Sequence, residues 1–206
     1  MRPRGPLYIA WTALSLLFAL SWACAQPPQP QVRIGADLFA LRVTEGVQQT
    51  PVPVTWQLEQ QVWRGRAGEL SFVVQPARSG PLMVLDLALN NEGGTRRLIE
   101  VALVGQMRLD PDTARYWDGS YRDVSPLEGF QPGAGDARER GSFPLSALGD
   151  AEHAVIMGIT PTTLISYAEP WLDYHPGDQS TWGFSLRAVL EPAVPERVAL
   201  CLGPIT

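Results

Sequence analysis

In TWGFSLRAVLE, Thr181 to Glu191, every second side chain is apolar: Trp182, Phe184, Leu186, Ala188 and Leu190. Residues two apart share one side of an extended strand, so this period selects a β-strand with one unbroken apolar face and rules out a helix of period 3.6. The same alternation recurs upstream. In VTWQLEQQVW, Val54, Trp56, Leu58 and Val62 fall on one face and Thr55, Gln57, Glu59 and Gln61 on the other. ELSFVVQ turns Leu70, Phe72 and Val74 inward. LMVLDLALN and RRLIEVALVGQM flank NEGG, where Asn91, Gly93 and Gly94 accept positive φ; the pattern is that of a hairpin, with Met83, Leu85, Leu87 and Leu89 packed across from Ile99, Val101 and Leu103. AVIMGI and RVALCLG add further strands. No amphipathic helix of more than about two turns and no internal repeat accompanies them. The expected fold is all-β: an antiparallel β-sandwich of about seven to nine strands following an N-terminal signal peptide.

The leader is read from MRPRGPLYIAWTALSLLFALSWACAQPPQP. Arg2 and Arg4 precede an apolar run, Ala23-Cys24-Ala25 supplies small residues around a cleavage site, and Pro27, Pro28 and Pro30 follow in a polar extended segment. The expected organisation is a signal peptide at 1–25, a Pro/Gln-rich linker at 26–32 and a β-sandwich domain at 33–206. Localisation is then secreted or extracytoplasmic, in the cell envelope. A membrane enters only if the N-terminus stays uncleaved as an anchor or Cys24 is lipidated, the lesser alternatives. Between about Asp110 and Pro144 the alternation gives way to proline, glycine and charge, a long loop region of the kind that carries function.

Composition removes whole chemistries. The net charge is −5, and it becomes −7 once residues 1–25, with two arginines and no acid, are gone. An acidic surface repels a phosphate backbone, so no nucleic-acid partner is expected. Every basic side chain is arginine, which excludes a P-loop lysine and any Schiff-base lysine. Cys24 leaves with the leader, and Cys201 alone can form neither an intramolecular disulfide nor a cysteine-based zinc site; it is read as a small core residue. Gly183-Phe184-Ser185-Leu186-Arg187 starts like a nucleophile elbow, yet Arg187 replaces the second glycine and the segment lies in a strand pattern. GAGDAR is a loop, not a dinucleotide fingerprint. His153 and His175 belong to no short-spaced ligand cluster, and Asp110, Asp112, Asp118 and Asp123 are read as solvated loop acids in preference to a calcium site. No catalytic residues, no metal and no cofactor are assigned.

Two segments carry the positive signal. Tyr116-Trp117-Asp118-Gly119 and Trp171-Leu172-Asp173-Tyr174-His175 place rings beside acids. A flat apolar ring takes the C–H face of a pyranose while carboxylates accept from its hydroxyls, so Tyr116, Trp117, Asp118, Trp171, Asp173 and Tyr174 are the carbohydrate-contact candidates. The competing reading is architectural: Asp-Gly is a turn dipeptide, and a tryptophan beside a turn closes the end of a sandwich core.

The order of motifs, a leucine-rich hairpin, then Trp117-Asp118-Gly119, Phe143-Pro144-Leu145, Leu148-Gly149-Asp150 and Val155-Ile156-Met157-Gly158, resembles the N-terminal β-sandwich (supersandwich) domain of glycoside-hydrolase-like proteins. The resemblance covers about Leu82 to Glu191, and it departs from the family pattern at Phe143 and at Ala151-Glu152. It implies an exported, non-catalytic, carbohydrate-associated accessory domain whose partner is a downstream catalytic barrel beyond Thr206. The alternatives are a stand-alone carbohydrate-binding module and an envelope scaffold or adhesion domain that binds a protein partner at an exposed strand edge.

Overall fold

The computed structural model describes residues 29–120, 127–132, 145–160 and 167–205. The leader at 1–25, Asp123, GAGDAR and Phe143-Pro144 lie outside the described residues. Among the described residues there is no helix, and the strands form two antiparallel sheets packed as a sandwich. The first sheet contains β1 (Gln31–Ile34), β2 (Asp37–Glu45), β8 (Arg97–Arg108), β14 (Gln179–Leu190), β13 (Tyr167–Tyr174) and β10 (Gly129–Pro132), adjacent in that order, with β3 (Thr50–Pro51) paired to β2. The second runs β4 (Thr55–Glu59), β5 (Val62–Ala67), β6 (Leu70–Ser79), β7 (Leu82–Asn91), β15 (Glu196–Ile205), β12 (Ala154–Ile159), β11 (Leu145–Gly149) and β9 (Arg115–Trp117).

Alternation decides what fills the space between the sheets. Phe39, Leu41, Ile99, Val101, Leu103, Trp182, Phe184 and Leu186 point inward from the first sheet and meet Leu70, Phe72, Leu85, Leu87, Leu89, Leu200 and Leu202 from the second; all are buried. At the centre, the Trp182 indole N–H donates to Ser146 Oγ across the sandwich at 3.1 Å, and Phe39 meets the Trp182 ring edge-on at 6.1 Å.

Four sequence expectations change. The strands flanking NEGG do not form a hairpin: β7 pairs with β6 and β15, whereas β8 pairs with β2 and β14 in the opposite sheet. Their apolar faces look at each other across the core, and the connection is a corner between sheets. Fully buried Asn91 organises it, donating through Nδ2 to the carbonyls of Thr95 and Leu190 and accepting from Gly93 N–H. VTWQLEQQVW is not one strand but a hairpin, β4 and β5, turned by Gln60 and Gln61 at φ +48° and +71°. The segment around Trp171 is strand β13, and the region read as a long loop contributes two short edge strands, β9 and β10. Cys201 faces out of the second sheet, half-buried beside Gly158 and Val84, where burial pushes its thiol pKa up.

The Leu148-Gly149-Asp150 motif pins one end of the sandwich. Asp150 accepts from the backbone N–H groups of Glu152 and His153 in its own turn and of Asp110 in a separate segment, at 2.9–3.1 Å. His153 then stands between Asp150 of the second sheet, at 3.2 Å, and Asp37 at the start of β2 in the first, at 3.5 Å. Burial pushes the Asp150 carboxyl up, but those three N–H donors and His153 outweigh it and hold its pKa below the ordinary 3.8. A carboxylate depressed in the folded state adds stability that is complete above the unfolded value and is lost as the pH falls through the folded one. Asp150→Asn is therefore expected to cost about 1–3 kcal/mol in urea denaturation at pH 7, and the difference from wild type should shrink as the pH is taken below about 4. A penalty that persists unchanged at pH 3 would show that the carboxylate charge has no part in it.

Candidate functional site

The outward residues of the first sheet form rows fixed by strand register. One row reads Thr44, Glu100, Arg187, Tyr167; the next Arg42, Ala102, Ser185, Glu169; the next Ala40, Val104, Gly183, Trp171. Small side chains occupy the middle strands, so Ala102, Val104, Gly183 and Ser185 make a low floor. Larger groups on β2 and β13 make its walls. Arg42 and Glu169 face each other across three strand spacings, about 14 Å of backbone. The result is a groove of about 460 Å³ on the outer face.

Trp171 is the aromatic wall. A β-carbon at Gly183 would lie 2.4 Å from its indole, so glycine there is what lets the ring lie down against the sheet. The indole N–H donates to Ser185 Oγ at 3.2 Å, and Phe130 on edge strand β10 stacks beside it with ring centroids 6.4 Å apart and planes 29° from parallel. Phe130 is 62 % exposed, an apolar surface left open to solvent next to the groove.

The charged end is internally balanced. Glu100, largely buried, accepts from Arg187 Nε at 2.6 Å and from Gln49 Nε2 at 3.0 Å. Gln49 sits at φ +52°, a left-handed conformation that costs a non-glycine residue about 1 kcal/mol, in the turn that brings its amide to Glu100. The Arg187 guanidinium also lies 4.6 Å from the centroid of the Tyr167 ring, and the Tyr167 hydroxyl donates to Glu169. Burial, reinforced by that bond to Glu169, pushes the Tyr167 phenol up to about 12. The hydrogen bond to Glu100 likewise raises the pKa of Arg187. Thr44 Oγ1 lines the same groove, buried and without a hydrogen-bond partner among the described residues.

The six candidates named from sequence separate into two places. Tyr116 points into the core, 1 % exposed, and burial holds its phenol pKa far above the ordinary value; its ring has no open face. Trp117 and Asp118 form a corner: the Trp117 indole N–H donates to the Ser120 carbonyl, Asp118 accepts from Ser120 N–H at 2.9 Å, and Gly119 takes φ +87°. Asp110 caps its own turn in the same way, accepting from Asp112 N–H and the Thr113 hydroxyl. On β13 the period of two splits the other three. Trp171 and Asp173 face outward, Asp173 lying 3.3 Å from His175, whereas Tyr174 turns into the core. Glu100, Arg187, Glu169, Arg42, Gln49 and Phe130 went unread in the sequence. The available signal was the outward set of strongly apolar strands, such as the lone acid in RRLIEVALVGQM.

No family model and no curated protein sequence matches the chain. Structure neighbours are GH36 alpha-galactosidases and related sandwich domains, at low identity. The GH36 alpha-galactosidase AgaB from Geobacillus stearothermophilus is 10% identical with a TM-score of 0.49, the match covering 80% of this chain and 29% of that one. A candidate aldose 1-epimerase from Escherichia coli K12 is 11% identical with a TM-score of 0.47, covering 86% and 68%. The Slr1438 protein from Synechocystis sp. PCC 6803 is 10% identical with a TM-score of 0.47, covering 87% and 66%. The chain thus spans under a third of the galactosidase and about two thirds of the other two.

Removing one side of the Glu100–Arg187 pair strands the other. Arg187→Met is expected to destabilise by about 1–2 kcal/mol, less than for a fully buried pair because a third of Arg187 remains in solvent. Adding Glu100→Gln to it should recover most of that loss in urea denaturation. Equal midpoints for the single and double variants would mean that Glu100 is not held by Arg187.

Proposed function

We propose that this chain is an exported, carbohydrate-associated β-sandwich domain that binds a glycan on the outer face of its first sheet and serves as the accessory domain of a glycoside-hydrolase-like protein. The observation that carries this reading is Trp171, laid against Gly183 and stacked by Phe130 beside a floor of small side chains. A pyranose needs one apolar face for its C–H side and hydrogen-bonding groups around its rim. Trp171 and Phe130 offer the first; Arg42, Gln49, Thr44 and Glu169 offer the second.

A binding role fits these carboxylates better than catalysis. A general acid or nucleophile works with a carboxyl group aimed at the reacting bond. Here Glu100 is engaged by Arg187 and Gln49, and Glu169 by Tyr167, an arrangement that positions polar groups and balances their charge. Export rests on the charged, apolar and small-residue layout of residues 1–25.

Electrophoresis through gels containing soluble polysaccharides tests the reading. The wild-type domain should be retarded by at least one polysaccharide. Trp171→Ala should remove the retardation and Phe130→Ala weaken it, while Trp117→Ala, at the corner, leaves it in place. No retardation on any polysaccharide, or retardation indifferent to Trp171→Ala, would overturn the proposal. N-terminal sequencing of the exported product should begin at Gln26.

A further inference from the structure

The groove beside Trp171 does not end at Arg42. A second depression of about 650 Å³ continues from it on the same face, and the two share Arg42 and Val104 in their linings. Together they run from β13 across β14, β8 and β2 to β1, four strand spacings or about 19 Å. That is a path across the sheet and not a cup for one ring.

The chemistry changes along the path. The Trp171 end has rings and internally paired charges. The far end is lined by four amides, Gln29, Gln31, Gln106 and Gln179, which come from the segment before β1, from β1, from β8 and from β14. None of these side chains hydrogen-bonds another described residue, and no acid joins them in the lining. Leu38, 39 % exposed, supplies an apolar contact among them. An amide carries two donors and an acceptor oxygen, so it pairs with a hydroxyl in either sense and does so without charge. Four uncommitted amides around one exposed leucine match a neutral, hydroxyl-rich chain with alternating polar edges and C–H faces.

We infer that the site takes a neutral oligosaccharide of at least two sugar units, laid across the sheet, with one unit against Trp171 and the following units read by the glutamines near β1. This rests on the reading of the outer face as a glycan surface. Arg42, at the junction, lies where the link between units passes and donates to both neighbours. A ligand confined to the Trp171 end would gain nothing from the amides.

Isothermal titration with mono- to hexasaccharides of the gluco-, galacto-, xylo- and manno- series tests this. In the series that binds, affinity should rise by about tenfold or more from mono- to tetrasaccharide. Gln106→Ala/Gln179→Ala should flatten that rise, bringing the tetrasaccharide close to the monosaccharide. Both side chains stand on the sheet surface without hydrogen-bond partners among the described residues, so the double variant should keep the wild-type thermal midpoint, and Gln31→Ala provides an independent second probe. Binding that is equal at all lengths, or a rise untouched by all three substitutions, overturns the inference while leaving the glycan reading intact. Absence of binding in all four series at every length overturns both.

Discussion

The indole N–H of Trp182 is the polar group on which the arrangement of the two sheets turns. Trp182 is fully buried, and a buried donor left without an acceptor costs about 1–3 kcal/mol. Its acceptor is Ser146 on β11 of the opposite sheet, so the sheets are held where those two strands face one another. Once Trp182 points inward, strand geometry leaves no choice about its neighbours: Phe184 and Leu186 go inward with it, and Gly183, Ser185 and Arg187 go out. The floor of the groove and its central cation are therefore set by the same alternation that builds the core. A one-residue slip of β14 would bury Arg187 and expose Trp182, and the core opposes it with most of its apolar area.

Arginine suits the outer face in a way lysine would not. The Arg187 guanidinium donates through Nε to Glu100 while its Cζ lies over the Tyr167 ring, two contacts that a planar, delocalised cation makes at once and a compact ammonium does not. The chain uses no lysine anywhere, and the cation paired with Glu100 on this face has that planar geometry. The same pairings leave the groove close to electrically neutral on a protein whose overall charge is negative.

The inward residues were legible in the sequence because one period fixes them: Leu70, Phe72 and Val74, and the Trp182 series, lie where alternation puts them. Partners were not. Asn91 with two nearby glycines carries the chemistry of a hairpin turn, yet one of its anchors is the Leu190 carbonyl, 99 residues away, and that contact makes the segment a corner between sheets. The Gln60-Gln61 turn lacks the asparagine or glycine that marks its type, so one hairpin read as a single strand. Of the rings and acids chosen for the site, Trp171 faces the groove, whereas Tyr116 and Tyr174 are core and Trp117 with Asp118 is a corner. Glu100, Arg42 and Glu169 come from β8, β2 and β13, and only the order β2-β8-β14-β13 puts them around one floor. No local spacing encodes that order.

Both outer faces have small residues in their middle strands, so shape alone does not choose between them. On the second sheet, Ala199, Cys201 and Gly203 alternate along β15, and a depression of about 390 Å³ lies over β6, β7 and β15 with Asp86 and Arg197 in its lining. That depression contains no aromatic ring. Its two charged side chains stand on exposed positions, where solvent competes with any ligand for them. On the first sheet, by contrast, Glu100, Arg187 and Glu169 are partly withdrawn from water and held by Gln49, Tyr167 and one another, and the ring of Trp171 is fixed flat by the absence of a side chain at Gly183. A flat molecule with a polar rim gains from orientation that has been set before it arrives, because less freedom remains to be lost on binding. Preorganisation, more than the size of the depression, is what sets the first sheet apart from the second and favours it as the proposed binding face.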